Sequence, residues 1–269
     1  MVGGLLGNRW PASLHEVTMK IAICTPAYDG RAHINYNRSV REALTFLQKH
    51  GHEAVVLDAQ HCANLPRLRN ALVASAFEWG ADVLVWVDSD IAFDPGQLLA
   101  LCNTGLPVVG IPCQKRPRDW RTYKPEVAFK ALENGGVGIV NEDIVEVRAV
   151  PTAFMVTRMD VYRKMAELDL AKPLANREGS PMGLLYRNYF WYELEPVEGP
   201  NGETLYFDDG EDYYFCKKAR EAGFKVYLYT KGRVVHHEGR QRLDVNFWDL
   251  HGHVVTKAIE DDGDEQHAG

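Results

Sequence analysis

The chain has 269 residues, of which 46% are hydrophobic and 25% charged, so it can bury a substantial core and has the composition of a globular protein. Its 30 Lys and Arg against 37 Asp and Glu give a formal net charge of −7, which argues against a protein that coats nucleic acid by bulk attraction. A local basic patch remains compatible with this balance. The five cysteines are widely spaced and include no C-x-x-C pair, so they indicate neither a disulfide framework nor a zinc knuckle.

The sequence carries no sign of membrane insertion or secretion. No apolar run approaches the roughly 18 to 20 residues of a membrane span, and the first residues lack the basic start and long apolar stretch of a signal peptide. We therefore expect a soluble cytoplasmic protein. Residues 1–18 are predicted to be a loose leader, 19–259 one domain, and the acidic, apolar-poor residues 260–269 a disordered tail.

Apolar segments and segments of helical periodicity alternate through the first half. Strands are predicted over residues 20–25, 53–58, 82–87 and 107–112, and helices over residues 35–50, 64–80 and from Asp94-Pro95 onward. Because the strands are almost continuously apolar, this order predicts a mainly parallel, Rossmann-like sheet with helices on both faces.

The second half has a less regular pattern. It predicts one or two strands within residues 146–156, a short helix over 160–168, an aperiodic aromatic region over 172–208, a helix capped by Asp209 and ending at Gly223, and strands over 225–230 and 233–238. With neither linker nor repeat, the pattern favours a single α/β domain whose second half builds a mixed, acceptor-binding region beside the first.

Two aspartates follow the third predicted strand, in the segment Asp88-Ser89-Asp90. Ligands of open parallel sheets bind beyond the carboxyl ends of strands, and carboxylates two residues apart in extended chain project to the same side. A divalent ion bound to phosphate oxygens would relieve their repulsion, with one carboxylate ligating Mg²⁺ or Mn²⁺ and the other reaching a ribose hydroxyl or a metal-bound water. The alternative is a pair of solvated acids at a strand end.

Here the sequence resembles a known family. The segment LVWVDSDIAFDP is similar to the Asp-x-Asp segment of GT-A-type, sugar-nucleotide-dependent glycosyltransferases, and four further segments between Lys20 and Arg240 resemble that family in the same order. These are the first strand and loop Ile23–Tyr28, the pair Arg69-Asn70, the segment Gly210-Glu211-Asp212, and the segment 235–239 with its histidines. The resemblance implies a GT-A-like fold and a metal-dependent glycosyltransferase, similar to phage or bacterial enzymes, which would lie in the host cytoplasm if the source is viral.

The resemblance also implies a set of donor contacts. A nucleotide sugar, with UDP as the expected nucleotide, would lie against residues of the strand ends and the following helix: Thr25, Pro26, Ala27, Tyr28, Asp58, Arg69, Asn70, Asp88 and Ser89. Tyr28 could stack on the base or pack on the core, and Asp58 could accept a hydrogen bond from uracil or ribose. Arg69 offers a bidentate charge for the diphosphate, although a solvent-facing helix arginine is the ordinary alternative.

The late acidic pair and the histidines complete the implied site. Asp212 is expected to be the general base and Glu211 a sugar contact, with reversed or purely structural roles as the alternative. A base opposite the leaving diphosphate implies inversion at the anomeric carbon. His236 and His237 should point to opposite faces of their strand. The H-x-G form favours His237, with Asp88 and Asp90, as the metal ligand, and an imidazole shifts the preference from Mg²⁺ toward Mn²⁺.

Two segments of the sequence are candidates for contact with the acceptor. Contacts are expected from residues 151–155 and from the aromatic residues 186–192, either of which could equally be core. The basic, aromatic segment 114–124, which includes Lys115, could be a lid over the donor phosphates, a patch for a polyanion such as hydroxymethylated DNA, or a solvated loop. Glycan, protein and modified DNA therefore stay open as acceptors.

Two other classes of function compete with glycosyl transfer. A nucleotidyltransferase also pairs acids around a metal, but it would usually show a Gly-rich loop bearing Lys or Arg after the first strand, where this chain has only Gly30-Arg31. A non-catalytic sugar-nucleotide or glycan-binding module would be favoured by loss of either acidic pair, and both are present. The oligomeric state is not indicated by the sequence.

Overall fold

The computed structural model describes residues 18–115, 127–175, 185–238 and 241–243. The predicted tail, the leader except Thr18, and residues 116–124 of the basic segment lie outside the described residues. The described part of the chain contains five helices, which are α1 (Ile34–Lys49), α2 (Leu65–Trp79), α3 (Pro95–Asn103), α4 (Met159–Glu167) and α5 (Glu211–Glu221). None of these helices has the length and apolar content needed to cross a lipid bilayer.

Fifteen strands accompany these helices in the described residues. They are β1 (Lys20–Ala27), β2 (Glu53–Gln60), β3 (Val83–Val87), β4 (Ile91–Phe93), β5 (Val108–Gly110), β6 (Cys113–Gln114), β7 (Val127–Ala128), β8 (Gly138–Ile139), β9 (Ile144–Val147), β10 (Phe154–Arg158), β11 (Leu194–Glu198), β12 (Thr204–Asp208), β13 (Val226–Tyr229), β14 (Val234–Glu238) and β15 (Gln241–Leu243).

An eight-stranded sheet in the order β2-β1-β3-β10-β5-β13-β9-β8 forms the centre of the molecule. Strands β2, β1 and β3 run parallel, as do β5 and β13, while β10 lies antiparallel between β3 and β5. The prediction of a mixed α/β fold with a mainly parallel sheet is therefore confirmed. Strands β9, β10 and β13, which come from the second half of the chain, complete this sheet.

The sheet is covered on both faces, as predicted. Along β1, Ile21 and Ile23 pack in a cluster with residues of α1 and α3, whereas Ala22 and Cys24 pack in a second cluster with residues of α2, α4 and α5. This alternation follows from the two-residue side-chain period of a strand. Because both clusters are apolar, every residue from Ile21 to Cys24 is fully buried.

The N-terminal caps of α2 and α3 are those predicted from the sequence, whereas the cap of α5 is not. Asn64 Oδ1 accepts from the Arg67 amide at 2.9 Å to cap α2, and Asp94 Oδ1 accepts from the Gln97 amide at 3.0 Å to cap α3. For α5, however, the N-cap is Gly210, with φ of 79° and no side-chain cap. The predicted cap, Asp209, instead forms an ion pair with Lys130.

A small three-stranded sheet, β15-β14-β4, lies next to the carboxyl end of β3. Its strand β4 begins directly after the Asp88-Ser89-Asp90 segment and pairs antiparallel with β14, so that His236 lies opposite Ile91. This pairing brings a late segment of the chain to the two early aspartates.

Candidate functional site

The ends of the first two strands place the predicted base-binding residues at one edge of the sheet. Thr25 lies opposite Asp58 in the β1–β2 register. The Thr25 hydroxyl is buried and lies 2.6 Å from the Tyr36 hydroxyl, and both Pro26 and Ala27 are buried. Asp58 is exposed, and Tyr28 is 64% exposed, so its ring does not pack on the core. Tyr28 and Asp58 are thus the members of this group whose side chains a ligand can reach.

The aspartates after β3 are partly accessible. The side chain of Asp88 is 37% exposed and that of Asp90 is 22% exposed. Their backbone is fixed, because the Asp88 amide donates to the Ala153 carbonyl at 3.2 Å and the Ser89 carbonyl accepts from the His33 amide at 2.8 Å. Two carboxylates are therefore held at the rim of the sheet with part of their surface open to solvent.

Arg69 connects the early aspartates to the late acidic pair. Its Nη2 donates to Asp88 Oδ1 at 3.1 Å and its Nε donates to Glu211 Oε1 at 3.1 Å. The guanidinium is 1% exposed and is covered by the rings of Trp86 and Phe190. Arg69 is thus neither solvent-facing nor open to a diphosphate. It holds two carboxylates that are far apart in the sequence.

The charge of Arg69 is retained in spite of its burial. Burial lowers the pKa of this guanidinium, but Asp88, Glu211 and Asp212 together raise it above the usual arginine value. Its Nη1 is buried and has no hydrogen-bond partner among the described residues. One strong donor at the centre of the acidic group therefore remains for a buried water.

Asn70 has a structural part in this arrangement. Its side-chain amide donates to the Phe190 carbonyl at 3.0 Å, and its Oδ1 accepts from the Phe190 amide at 2.9 Å. The residue is fully buried. The predicted donor contact by Asn70 therefore has no support in the geometry, whereas its pairing with Phe190 fixes the ring that covers Arg69.

Glu211 and Asp212 occupy the first turn of α5. Glu211 is 8% exposed, and Asp212 Oδ1 accepts from the Tyr213 amide at 2.9 Å. Burial, followed by the nearby charge of Glu211, raises the pKa of Asp212 to about 7, in spite of the opposing effect of Arg69. A carboxyl group with this pKa can exchange a proton near neutral pH, which is the property of a general base.

The two histidines of β14 face opposite sides, as predicted, and the structure brings His236 to the aspartates. His236 Nε2 lies 3.4 Å from Asp90 Oδ2, and its Nδ1 lies 3.1 Å from the Gln114 carbonyl oxygen. The ring of His237 stacks on that of His33 with centroids 4.0 Å apart, and its Nε2 lies 3.3 Å from Asn35 Nδ2. The H-x-G spacing favoured His237 as the metal ligand, but the histidine that contacts Asp90 is His236.

The pKa of His236 also favours its contact with the acidic group. Burial lowers the pKa of His236, but the hydrogen bonds to Asp90 and Cys113 raise it, and the net result is a pKa of about 10. The imidazole is thus charged at neutral pH.

The residues expected to contact the acceptor divide between core and surface. Phe154 and Met155 are fully buried in β10, so that part of 151–155 belongs to the core. Within 186–192, Tyr189 and Phe190 are buried, whereas Trp191 and Tyr192 are 43% and 45% exposed. This segment is not a strand, and only its end offers aromatic surface to a ligand.

Lys130 lies near the acidic group, since the charge of Asp212 acts on it, and a second basic residue, Lys115, lies near Lys130. Lys115, just after β6, is exposed, and its charge acts on that of Lys130. Lys130 pairs with Asp209, three residues before Asp212, and was not indicated by the sequence. The sequence signal for Lys130 is its position between two short strands. This signal is too weak to distinguish Lys130 from other surface lysines.

No group of three or more His, Cys, Asp or Glu side chains among the described residues forms a ready-made metal site. The donor set nonetheless fits a hard ion that shares its coordination with a substrate. Asp88 and Asp90 offer carboxylate oxygens, both are partly exposed, and only one oxygen of Asp88 is bonded to Arg69. Mg²⁺ in particular is usually bound by one or two carboxylates, with phosphate oxygens and waters completing its coordination.

The chain was compared with protein families, curated proteins and solved structures. No protein-family model matches the chain, and no curated protein matches its sequence. Among solved structures, the chain is similar to a glycosyltransferase involved in the glycosylation of the major capsid of PBCV-1, with 13% identity and a TM-score of 0.29. The match covers 52% of this chain and 61% of that one, so this chain spans less than two thirds of the length of that glycosyltransferase.

Proposed function

We propose that the protein is a metal-dependent glycosyltransferase that moves a sugar from a nucleoside diphosphate donor to an acceptor hydroxyl. The observation that carries the proposal is the contact of Arg69 with both Asp88 and Glu211, at 3.1 Å each. This contact brings the Asp-x-Asp segment at the end of β3 close to the Glu-Asp pair at the start of α5. Each of these motifs is weak alone, but glycosyl transfer needs a diphosphate-binding group and a base in one place, and this site contains residues suited to both.

On the donor side, Asp88 and Asp90 would hold a Mn²⁺ or Mg²⁺ ion, with His236 in place of His237 as the neighbouring imidazole. The ion, when bound, would neutralise charge on the leaving diphosphate. Four carboxylates surround Arg69 and His236, so the site has an excess of negative charge that a cation would compensate. The exposed Tyr28 and Asp58 at the adjacent strand ends would contact the nucleoside, for which UDP is the expected carrier.

On the acceptor side, Asp212 would take the proton from the attacking hydroxyl. Its pKa of about 7 matches that task at neutral pH. Glu211 is paired with Arg69, so its part would be to fix the helix start and the guanidinium. A base on the face opposite the leaving group implies inversion at the anomeric carbon. Glycan, protein and hydroxymethylated DNA remain the acceptor classes to be distinguished.

A screen for release of nucleoside diphosphate tests the proposal. The chain is incubated with a panel of nucleotide sugars, with Mn²⁺ or with EDTA, and free nucleoside diphosphate is measured. We expect slow, Mn²⁺-dependent hydrolysis of at least one donor. The variant Asp212→Asn should bind that donor but lose transfer, whereas Asp90→Ala should lose binding. If no donor is hydrolysed and none changes the thermal stability of the protein, the proposal is wrong.

A further inference from the structure

A cavity of about 210 Å³ lies beside the proposed base and is lined mainly by charged side chains. Its volume is below the roughly 300 to 1,000 Å³ of pockets for drug-sized ligands, so it suits one small group. Helix α5 supplies Tyr213, Lys217 and Arg220, which share one face of the helix because they are spaced by four and three residues. The opposite wall contains Lys130 and Arg148.

This cavity has a formal excess of one positive charge among its lining side chains, although Lys217 also pairs with Glu193, outside the lining, at 2.7 Å. The cavity is lined by four cationic and three acidic side chains, and each acid pairs with a different cation. Asp209 pairs with Lys130, Glu195 lies 3.2 Å from Lys217, and Glu133 lies 2.8 Å from Arg220. In the described part of the chain, no carboxylate lies within ion-pair distance of Arg148. The half-buried Arg148 thus forms no ion pair of its own within these residues, although its charge acts on Glu133.

The backbone fixes Arg148 next to Lys130. The Arg148 amide donates to the Lys130 carbonyl at 2.8 Å, and the Lys130 amide donates to the Ala149 carbonyl at 2.8 Å. The Lys130 ammonium is also confined by the rings of Phe207 and Tyr213, at 5.1 and 4.9 Å from their centroids. Burial, and then repulsion from Arg148, lower the pKa of Lys130. Two like charges are therefore held side by side, and a bound anion would offset their repulsion.

The cavity lies next to the proposed base. Tyr213, which lines it, follows Asp212 directly in the chain, and the charge of Asp212 acts on Lys130. A group bound there would belong to the molecule whose hydroxyl faces Asp212, which is the acceptor in the proposed function.

We propose that this cavity binds the anionic group of an acidic sugar in the acceptor, with Arg148 as its main partner. The inference rests on the proposed function for the identity of that molecule as the acceptor. A carboxylate and a phosphate both match a guanidinium fork. The aromatic side chains beside the cations would contact the apolar face of the sugar ring.

Calorimetric titration of the full chain, without nucleotide sugar or metal, tests the inference. The probes are glucuronate, glucose 6-phosphate, neutral methyl glucoside and inorganic phosphate. We expect at least one acidic sugar to bind more tightly than both the neutral sugar and inorganic phosphate, and the two acidic sugars show whether carboxylate or phosphate is preferred. Arg148→Gln should weaken that binding by about tenfold or more, because it removes a hydrogen bond between charged groups.

Lys225→Gln is the matched control. Lys225 pairs with Glu146 and does not line the cavity, so this variant loses the same charge elsewhere and should bind as wild type. Arg148→Lys keeps the charge and should bind between wild type and Arg148→Gln, which separates a binding defect from misfolding. Equal binding by Arg148→Gln and Lys225→Gln, failure of both acidic sugars to bind, or equal binding of inorganic phosphate would overturn the inference.

The two proposals fail in different ways. Binding of an acidic sugar without turnover of any nucleotide sugar would contradict glycosyl transfer and support the cavity assignment. Donor turnover without binding of either acidic sugar would support transfer and overturn the cavity assignment.

Discussion

Arg69 and Glu211 are 142 residues apart in the sequence, yet the Nε of one donates to Oε1 of the other at 3.1 Å inside the protein. The same guanidinium donates to Asp88 at 3.1 Å. The arginine therefore joins the carboxyl end of β3 to the start of α5, and the geometry of the acidic site depends on this buried contact.

Replacement of Arg69 by Met should destabilise the fold by about 3 kcal/mol or more, because removal of one partner leaves Glu211 buried and unpaired. The free energy of unfolding is measured by urea denaturation at pH 7. The control is Lys164→Met, which breaks an exposed pair with Glu167 on α4 and should cost less than about 1 kcal/mol. Equal losses in the two variants would contradict the structural part assigned to Arg69.

Replacement of Asn70 by Ala should cost about 2 kcal/mol, since both backbone groups of Phe190 would lose their side-chain partner in a buried site. Asn201, in the exposed loop between β11 and β12, provides the comparison, and Asn201→Ala should change the stability by less than about 0.5 kcal/mol. Urea denaturation of both variants measures the difference. A loss of donor binding with unchanged stability in Asn70→Ala would instead support the donor contact expected from the sequence.

The stability difference between Asp212→Asn and the wild type should depend on pH. The pKa of Asp212 in the folded state is about 7, against an ordinary value of 3.8, so between these values the folded state retains a proton that the unfolded state has lost. Wild-type stability therefore falls as pH rises from about 4 to about 7, while the Asn variant has no such group. From pH 4 to pH 8 the stability of the variant relative to the wild type should rise by about 4 kcal/mol. A difference that is constant from pH 4 to pH 8 would show that the pKa is not raised.

His236 and His237 should differ in their effect on metal-dependent binding. With UDP as the probe, His236→Gln should raise the Mn²⁺ concentration for half-maximal binding by about tenfold or more, as loss of a ligand or of its immediate neighbour typically does. His237→Gln should leave that concentration within about twofold, because its ring stacks on His33. If His237→Gln raised that concentration and His236→Gln did not, His237 would be the ligand, as expected from the H-x-G spacing.

The sequence predicted the elements of the fold better than their arrangement. Apolar strands and capped helices such as α2 follow from local side-chain chemistry, and they were found where expected. The central position and antiparallel direction of β10 were not predicted, because an apolar strand such as Phe154–Arg158 contains no signal for its neighbours or its direction.

For the candidate site too, the sequence predicted which residues take part better than it predicted which residues they contact. The sequence indicated Asp88 from its place after a strand, and the family resemblance indicated Arg69 and Glu211, each separately. It assigned Arg69 to a diphosphate, since a contact across 142 residues has no local signature. The choice between His236 and His237 depended on the register of β14 against β4, which only the folded chain determines.

The proposed function depends on a divalent ion that is held by Asp88 and Asp90 and binds the diphosphate of an activated sugar. Calorimetric titration of UDP into the wild-type protein with Mn²⁺, with EDTA, and into Asp90→Ala with Mn²⁺ tests it most directly. We expect UDP to bind in the first titration and to bind at least about a hundredfold more weakly, or not at all, in the other two. UDP that binds equally well in EDTA, or does not bind with Mn²⁺, would contradict it.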